Sequence, residues 1–390
     1  MITTITNVIP LVKGKFLSKC NVSFDEGKIV AIGEQSLGQI VDGKGAYCVA
    51  GYIDIHTHGG WGKDCMEDTV EAIDTIARYH LYTGTTAFCP TTMTASMPDI
   101  DKAIDNIRKY RNSGSKGAKI IGVHMEGPYL AAKSAGAHPP YLLVAPTEDN
   151  AVVVWKNLDM VSRITIAPDL KDSDVFTTHA TAKGVQISLG HDDSIDDEIL
   201  ACVDAGASTV THLYNCTSRP SRRQNPKKHL GLTEMGLIDD RLVCEVIADN
   251  RHVPNALFKM IFKLKGKDSI CLVSDSLSVA GMAAGDYYIG SGESKQAIRI
   301  EDGVAVLPTH NTYAGSVTAV GKMVQNLVGA GIDPQDALDM ATRVPAKVVG
   351  LTDRGDLQVG MLADFNLLGE NFDILATYLD GKAVDRESLK

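Results

Sequence analysis

The sequence predicts an α/β protein: a TIM-like (β/α)8 barrel with a small β-sheet domain formed by the N- and C-terminal segments. Eight short apolar segments alternate with stretches of helical periodicity through the middle of the chain, which is typical of parallel strands joined by crossover helices. Both ends of the chain show β patterning instead. We therefore expect residues 1–50 and 356–390 to form the small domain and residues 51–355 to form the barrel.

The terminal segments contain short strand-like runs separated by turns. An acidic turn at residues 25–27 lies between two apolar runs and predicts a hairpin. Residues 360–368 and 374–379 are strand-like in the same way, and Asp380 and Gly381 form a turn signal. We expect the two ends of the chain to pair into one sheet.

The middle segment supplies the barrel. Its apolar runs are near-continuous, which favours strands covered on both faces. The eight candidate strands are residues 53–56, 85–89, 120–124, 164–167, 186–189, 209–211, 244–248 and 270–273. Helical periodicity is found at residues 69–82, 100–112, 196–205 and 254–262, and again at 317–327 and 334–350. A β-like excursion at about residues 287–307 interrupts the alternation, and an open doubly wound sheet is the alternative fold.

Composition and charge narrow the functional class. A hydrophobic content of 44% and a charged content of 22% fit a globular enzyme, and the net charge of −10 argues against nucleic-acid or anionic-membrane binding. We find no apolar run long enough to span a bilayer and no N-terminal leader. The eight cysteines are scattered without a C-x-x-C pair, which predicts reduced thiols and a cytoplasmic location.

Two histidines follow the first barrel strand directly. His56 and His58 are two residues apart, so on an extended backbone both side chains point to the same face. Two imidazoles that converge beyond a strand end suit a divalent transition metal. Ordinary turn histidines are the alternative interpretation of this short motif.

Further metal-capable or titratable residues follow other strands, and in a barrel all these strand ends open on one face. Glu126, His191 and His212 come after the third, fifth and sixth strands, and we interpret them as metal ligands rather than surface-loop residues. Asp275 follows the eighth strand and is either a helix N-cap or a proton-transfer group. Together with the histidine pair, this set could hold one or two divalent ions.

Such a centre would perform hydrolysis. A bound metal lowers the pKa of its water toward about 7 and polarises a carbonyl oxygen. The sequence has no Gly-x-Ser-x-Gly elbow, no phosphate-loop lysine motif and no Gly-x-Gly-x-x-Gly fingerprint. The loop at residues 219–228, RPSRRQNPKK, is the dense basic cluster of an acidic protein. It is either a phosphate-binding loop for a small-molecule substrate or a solvated loop.

Several longer motifs together resemble those of the N-acetylglucosamine-6-phosphate deacetylases of the amidohydrolase superfamily. The resemblance runs over nearly the whole chain and depends on segments 25–33, 124–130 (HMEGPYL), 136–139 (GAHP), 190–191, 211–215 (THLYN), 247–252, 314–316, 341–347 and 355–360. It implies a barrel with a small β-sandwich, a homodimer, and removal of acetate from the sugar phosphate in amino-sugar catabolism.

The resemblance also implies roles for individual residues. Glu126, His191 and His212 would hold the principal metal, zinc foremost, with iron, manganese or cobalt as alternatives. Family members that keep the His-x-His pair can hold a second ion, here through His56 and His58. Asp275 would be the general base and acid. The residues implied to contact substrate are His138 and His252, with Asn215 and Cys216 near the phosphate.

The chain departs from the family pattern in the basic loop. The usual Arg followed by Glu-Pro-Gly is absent, and the candidate phosphate ligands are Arg219, Arg222, Arg223, Lys227 and Lys228. Arg223 is our choice among them. Asn250 replaces a family glycine and should tolerate a left-handed backbone. N-acetylgalactosamine 6-phosphate, another acylamino sugar phosphate, a cyclic-amide substrate and a non-catalytic sugar-phosphate sensor are the alternatives.

Overall fold

The computed structural model describes residues 1–114, 116–222, 226–290, 296–307 and 312–390. The strands of the N-terminal segment are β1 Thr3–Val12, β2 Lys15–Phe16, β3 Cys20–Asp25, β4 Lys28–Gly33, β5 Gln39–Asp42 and β6 Tyr47–Ala50. The strands from residue 52 to residue 272 are β7 Tyr52–Thr57, β8 Gly59–Gly60, β9 Lys63–Asp64, β10 Thr85–Thr92, β11 Lys119–Ile120, β12 Val123–Glu126, β13 Val161–Ile166, β14 Gln186–Leu189, β15 Thr209–Val210, β16 Val243–Val246 and β17 Ile270–Leu272. The remaining strands are β18 Gly285–Ile289, β19 Gln296–Glu301, β20 Val304–Leu307, β21 Thr312–Gly315, β22 Phe365–Leu368, β23 Ile374–Leu379 and β24 Lys382–Ala383.

The helices lie mostly between the barrel strands. They are α1 Val70–Tyr82, α2 Met97–Asn112, α3 Val152–Lys156, α4 Ser173–Ala182, α5 Asp196–Asp204, α6 Leu232–Ile238, α7 Asn255–Lys265, α8 Val320–Gly329, α9 Pro334–Asp339 and α10 Arg343–Val348. The Thr69 side chain caps α1 by accepting a hydrogen bond from the amide of Ala72. In the described part of the chain, no helix combines the length and apolar character that a membrane crossing requires.

A nearly closed parallel barrel forms the centre of the molecule, as the sequence predicts. The strand order is β7, β10, β12, β13, β14, β15, β16 and β17, with β11 as a short first part of the third strand. A parallel bridge between Thr57 and Ser276 links the first strand to the segment just after the last. The closure excludes the open doubly wound sheet.

The two ends of the chain share a second sheet. Its main order is β24-β23-β22-β6-β1-β3-β4, and β2 and β5 also pair with β1. A separate apolar core covers it, in which the rings of Phe365 and Tyr378 stack 4.5 Å apart and Phe24 packs against both. The domain boundaries at residues 50 and 356 themselves stay a prediction.

Two elements differ from the sequence prediction. The β-like excursion forms a four-stranded antiparallel sheet of β18 to β21 and continues to Gly315, beyond the expected end at 307. The last strand was missed because its sequence, TYAG, lacks an apolar alternation. The helical segment expected at 334–350 is divided into two helices, since Pro345 has no amide hydrogen to bond the carbonyl of Ala341.

Candidate metal centre and active site

Five strands bring their ends together around one carboxylate. β7 ends at His56 and Thr57, and β12 ends at Glu126. His191, His212 and Asp275 follow β14, β15 and β17 in the same ring of strands. The structure therefore brings together all six residues that the sequence nominated as metal ligands or general base. Their roles as metal ligands and as general base remain a proposal, but the fold itself brings the six side chains close together.

One oxygen of Glu126 faces a first pair of imidazoles. Oε1 lies 3.2 Å from His191 Nε2 and 3.0 Å from His212 Nε2. The two Nε2 atoms are 3.1 Å apart. All three side chains are buried. Three donor atoms thus form a compact triangle, and we refer to these three residues as the first group.

The other oxygen of Glu126 faces the His-x-His pair. Oε2 lies 3.0 Å from His58 Nε2 and 3.3 Å from His56 Nε2. Asp275 Oδ1 approaches the same two nitrogens at 3.3 and 3.6 Å respectively. These four residues form the second group, and the single carboxylate of Glu126 belongs to both.

The hydrogen bonds of the ring Nδ1 atoms orient these histidines. His191 Nδ1 donates to the carbonyl of Ser134 at 2.8 Å, and His58 Nδ1 donates to the carbonyl of Thr91 at 3.2 Å. A neutral ring that donates through Nδ1 presents the Nε2 lone pair. Both lone pairs are therefore directed at Glu126, in the orientation that a cation requires.

The two groups fit divalent cations. Zinc bound tetrahedrally at 2.0–2.1 Å separates its ligand atoms by roughly 3.3 Å, and the first group has separations of 3.0, 3.1 and 3.2 Å. Two lone pairs at 3.1 Å repel each other unless a proton or a cation lies between them. In the second group, His56 Nε2 is buried and makes no hydrogen bond within the described residues, which leaves it available as a ligand.

Without a cation, the carboxylates of the second group raise the pKa values of its two histidines. Burial lowers the pKa of His56, but the carboxylates of Glu126 and Asp275 raise it to about 10. Burial also lowers the pKa of His58, but the same carboxylates raise it to about 9. Burial raises the pKa of Asp275, whereas His56 and His58 lower it to about 2. The Asp275 carboxylate is therefore ionised.

Three residues of the site have a strained backbone conformation. His191, His212 and Asp275 have φ values of 49°, 27° and 46°, in the left-handed region that residues other than glycine rarely adopt. Each such conformation costs about 1–3 kcal/mol and persists where surrounding contacts impose it. Asn250 has φ 63°, which agrees with the expectation that it replaces a glycine in a left-handed position.

His138 is placed as a neutral hydrogen-bond donor. Its Nδ1 accepts the backbone N–H of Thr94 at 3.3 Å and lies 2.8 Å from the hydroxyl of the same residue. Burial lowers the pKa of His138 to about 4, although Glu126 opposes this. The proton of the neutral ring is then on Nε2, 3.5 Å from Glu126 Oε2. His138 can therefore donate to an acceptor beside the carboxylate.

Two further predicted substrate contacts lie on the loop after β15. Asn215 Nδ2 donates to the carbonyl of its own neighbour His212 at 3.2 Å. Cys216 lies beside His191: a Cβ on Gly136 would be 3.1 Å from Cys216 Sγ and 3.5 Å from His191 Cε1. Gly136 has φ 60°, so both its backbone and its lack of a side chain suit this close approach. The substrate role of Asn215 and Cys216 stays a prediction.

Of the remaining predicted contacts, His252 has partners of its own and Arg223 is not described. His252 Nδ1 pairs with Asp249 Oδ2 at 2.7 Å, and its ring packs against Tyr313. Arg223, our choice for the phosphate, lies outside the described residues. The other cations of the basic loop, Arg219, Arg222, Lys227 and Lys228, are exposed.

A buried ion pair below the second group was not anticipated. Glu245, on β16, accepts a hydrogen bond from His56 Nδ1 at 3.3 Å through Oε2, while its Oε1 pairs with Arg163 on β13. Both charged side chains are 0% exposed inside the barrel. Each is a charged residue within an apolar strand, and that sequence signal could have identified them. Glu245 fixes His56 so that Nε2 faces the site.

Asp192 is a third residue that sequence reasoning missed. Its carboxylate accepts hydrogen bonds from the Ser218 amide at 2.8 Å and the Ser218 hydroxyl at 2.6 Å, and its own amide donates to the carbonyl of Cys216 at 3.2 Å. These bonds hold the segment that connects the cluster to the basic loop. At the far end of this loop, His229 pairs with Asp196 at 2.7 Å.

Comparisons with known proteins agree with this geometry. A model of the amidohydrolase family matches residues 47–384. N-acetylglucosamine-6-phosphate deacetylase of Lysinibacillus sphaericus is 29% identical over 93% of this chain and 92% of the relative, and N-acetylgalactosamine-6-phosphate deacetylase of Escherichia coli O157:H7 is 30% identical over 85% and 86%. The crystal structure of N-acetylglucosamine-6-phosphate deacetylase from Pasteurella multocida superimposes with a TM-score of 0.90 at 25% identity, covering 98% of this chain and all of the other.

These matches confirm the resemblance that the sequence motifs predicted and the barrel with its small sheet. The family model covers β7 with His56, β12 with Glu126, Asp275 after β17, and the C-terminal strands β22 and β23. The chain therefore belongs to the amidohydrolase family.

Proposed function

We propose that this protein is a metal-dependent hydrolase that removes acetate from N-acetylglucosamine 6-phosphate and releases glucosamine 6-phosphate. The observation that carries the proposal is the position of Glu126, whose two oxygens each face a separate pair of buried histidines at 3.0–3.3 Å. Relatives and solved structures that cover nearly the whole chain and are named as this deacetylase support it.

The first group, Glu126 with His191 and His212, would hold the principal cation, and His56 and His58 would hold a second one with Glu126. When bound, a divalent cation supplies Lewis acidity to the amide carbonyl and to the attacking water. The donor set of histidines and carboxylates suits zinc, and it also accepts iron, manganese or cobalt.

The remaining chemistry is assigned to side chains of this chain. Ionised Asp275 accepts a proton from the attacking water and delivers it to the departing sugar nitrogen. His138 donates its Nε2–H to the carbonyl oxygen, on which negative charge develops. The basic loop at residues 219–228 binds the phosphate, with Arg223 as the proposed ligand, and Asn215, Cys216 and His252 complete the sugar-phosphate contacts.

N-acetylgalactosamine 6-phosphate is the second candidate substrate, because a relative with that specificity is 30% identical over 85% of the chain. The two sugars differ in the orientation of one hydroxyl. Acetate release from both 6-phosphates and from the two unphosphorylated sugars tests the proposal and ranks the substrates. Absence of acetate from every phosphorylated sugar would refute it.

The role of Asp275 has its own test. Asp275→Asn should lower kcat by roughly 10²–10⁴, the usual contribution of general acid–base catalysis, while the principal ion held by the first group is retained. The surface change Asp149→Asn is the matched control. Near-normal turnover of a metal-loaded Asp275→Asn protein contradicts the mechanism. A homodimer and a cytoplasmic location also remain predictions, and sedimentation of the purified protein checks the first.

A further inference from the structure

A cavity of about 770 Å³ opens beside the second group. His58 and Thr94 line it, as do Ala137 and Pro139 on either side of His138. Apolar side chains continue the wall, namely Met66, Met93, Ala95, Leu142 and Leu277. The volume is much larger than the methyl group of an acetyl substituent requires.

The segments that line the cavity and the segment that leads into the basic loop follow strands on opposite sides of the ring. The cavity is lined mainly by segments that follow β7, β10 and β12, the first three strands of the ring. The basic loop follows β15, the sixth strand, and in an eight-stranded ring the second and sixth strands are diametrically opposed. A substrate whose phosphate is held by the basic loop therefore approaches the cluster from the side away from the cavity.

The geometry of an amide then determines which part of the substrate faces the cavity. A secondary amide is planar and trans, so the sugar carbon on the nitrogen and the first carbon of the acyl chain lie on opposite sides of the C–N bond. With the sugar phosphate on the β15 side and the carbonyl beside His138, the acyl chain would extend toward the β10 side of the ring, where Met93 and Ala95 line the cavity.

We propose that this cavity is an acyl-chain subsite, and that the enzyme hydrolyses N-acyl glucosamine 6-phosphates with neutral acyl groups of three or four carbons as well as the acetyl compound. The inference rests on the proposed function. The reaction is unchanged: water oxygen bonds to the carbonyl carbon, the C–N bond breaks, the nitrogen takes the proton, and a longer carboxylate leaves.

Charge on the cavity wall restricts the acyl group further. Four carboxylates, Asp64, Glu67, Asp68 and Asp99, line it together with one ammonium group, Lys102. Lys102 pairs with Asp68 and Lys63 pairs with Glu67, so Asp64 and Asp99 provide the net negative charge. An acyl chain that ends in a carboxylate is repelled there, whereas a neutral chain gains apolar contacts.

The test measures kcat/KM for N-acetyl, N-propionyl, N-butyryl and N-succinyl glucosamine 6-phosphates with the metal-loaded protein at low ionic strength. Burial of each added methylene favours the longer neutral chains by up to about fourfold. Two results together support the subsite. The kcat/KM for the N-butyryl compound should lie within tenfold of the N-acetyl value or above it, and the N-succinyl value should be at least tenfold below the N-butyryl value. N-butyryl more than tenfold below N-acetyl, or N-succinyl equal to N-butyryl, overturns it. Turnover of none of the four refutes the proposed function itself.

A matched pair of variants locates the effect. Ala95→Leu adds bulk to the cavity wall and should lower the ratio of N-butyryl to N-acetyl kcat/KM by at least tenfold. Ala376→Leu makes the same change at a half-buried position in the small sheet and should leave that ratio unaltered. An unchanged ratio in a folded Ala95→Leu protein places the acyl chain elsewhere and overturns the assignment.

Discussion

Replacing Glu245 by glutamine should separate the second group of ligands from the first. The change keeps the shape of the side chain but removes the charge that accepts from His56 Nδ1 at 3.3 Å and pairs with Arg163. Loss of such a hydrogen-bond partner lowers metal affinity by roughly 10–100-fold. Since Glu245 contacts His56 alone among the candidate ligands, only the ion held by the second group should be affected.

The same change should also destabilise the fold. Arg163 is 0% exposed, and without Glu245 its charge stays buried with no carboxylate; breaking a buried pair in this way costs about 3–5 kcal/mol. The double variant Arg163→Met with Glu245→Gln removes both charges, so it should recover much of the stability and still bind the second ion weakly. Exposed Glu301 on β19, changed to glutamine, is the control.

The assay combines two measurements on each variant. Urea unfolding of metal-free protein gives the free energy of unfolding, and elemental analysis after dialysis against a limiting metal concentration gives the ions bound per chain. If Glu245→Gln retains two ions at wild-type affinity, the assigned role of Glu245 is wrong. The geometry of Glu126 indicates that the two groups bind their ions separately. If Glu245→Gln loses both ions, that inference is wrong.

Three further outcomes follow from the geometry. His191→Ala and His212→Ala should each lose the principal ion, and full metal retention in both, measured by elemental analysis, would defeat the ligand assignment. Asp192→Asn, which weakens the bonds to the loop after β15, should raise KM roughly tenfold with little change in kcat; a fall in kcat at constant KM would contradict this. Burial raises the pKa of Glu245, but Arg163 and His56 hold it below its usual range. A carboxyl group whose pKa is lowered in the folded state stabilises the fold at pH values above its ordinary pKa, and this contribution is lost as the pH falls. The difference in the free energy of unfolding between metal-free wild type and Glu245→Gln should therefore shrink below about pH 4, and urea unfolding measures it.

Much of the cluster could be predicted because its residues follow strand ends. His56, Glu126, His191, His212 and Asp275 are each adjacent to an apolar run, and parallel strands in a barrel deliver such positions to one face. The helix boundaries were predicted well where caps exist, as at Thr69 before α1. The short strand β21 and the break before α10 depend on local pairing and on one proline, which periodicity does not detect.

Pairings across the barrel could not be predicted from pattern. Arg163 and Glu245 lie on the fourth and seventh strands, and their contact depends on closure of the ring and on the register of every strand between them. The bond between Asp192 and Ser218 joins the segments that follow two neighbouring strands, and it depends on how those segments fold rather than on strand spacing. Sequence spacing indicates which face a residue occupies, whereas the partner of a buried charge depends on three-dimensional packing that spacing does not contain.

The pairing of β6 with β22 has a consequence during synthesis. Residues 47–50 leave the ribosome more than three hundred residues before their partners at 365–368, so one edge of the early sheet has exposed amide and carbonyl groups throughout that interval. The barrel can assemble on the nascent chain, but the sheet formed by the first fifty residues stays incomplete until the last strands have been synthesised. Truncation at the C-terminus should therefore produce aggregation through this open edge rather than a merely shorter protein.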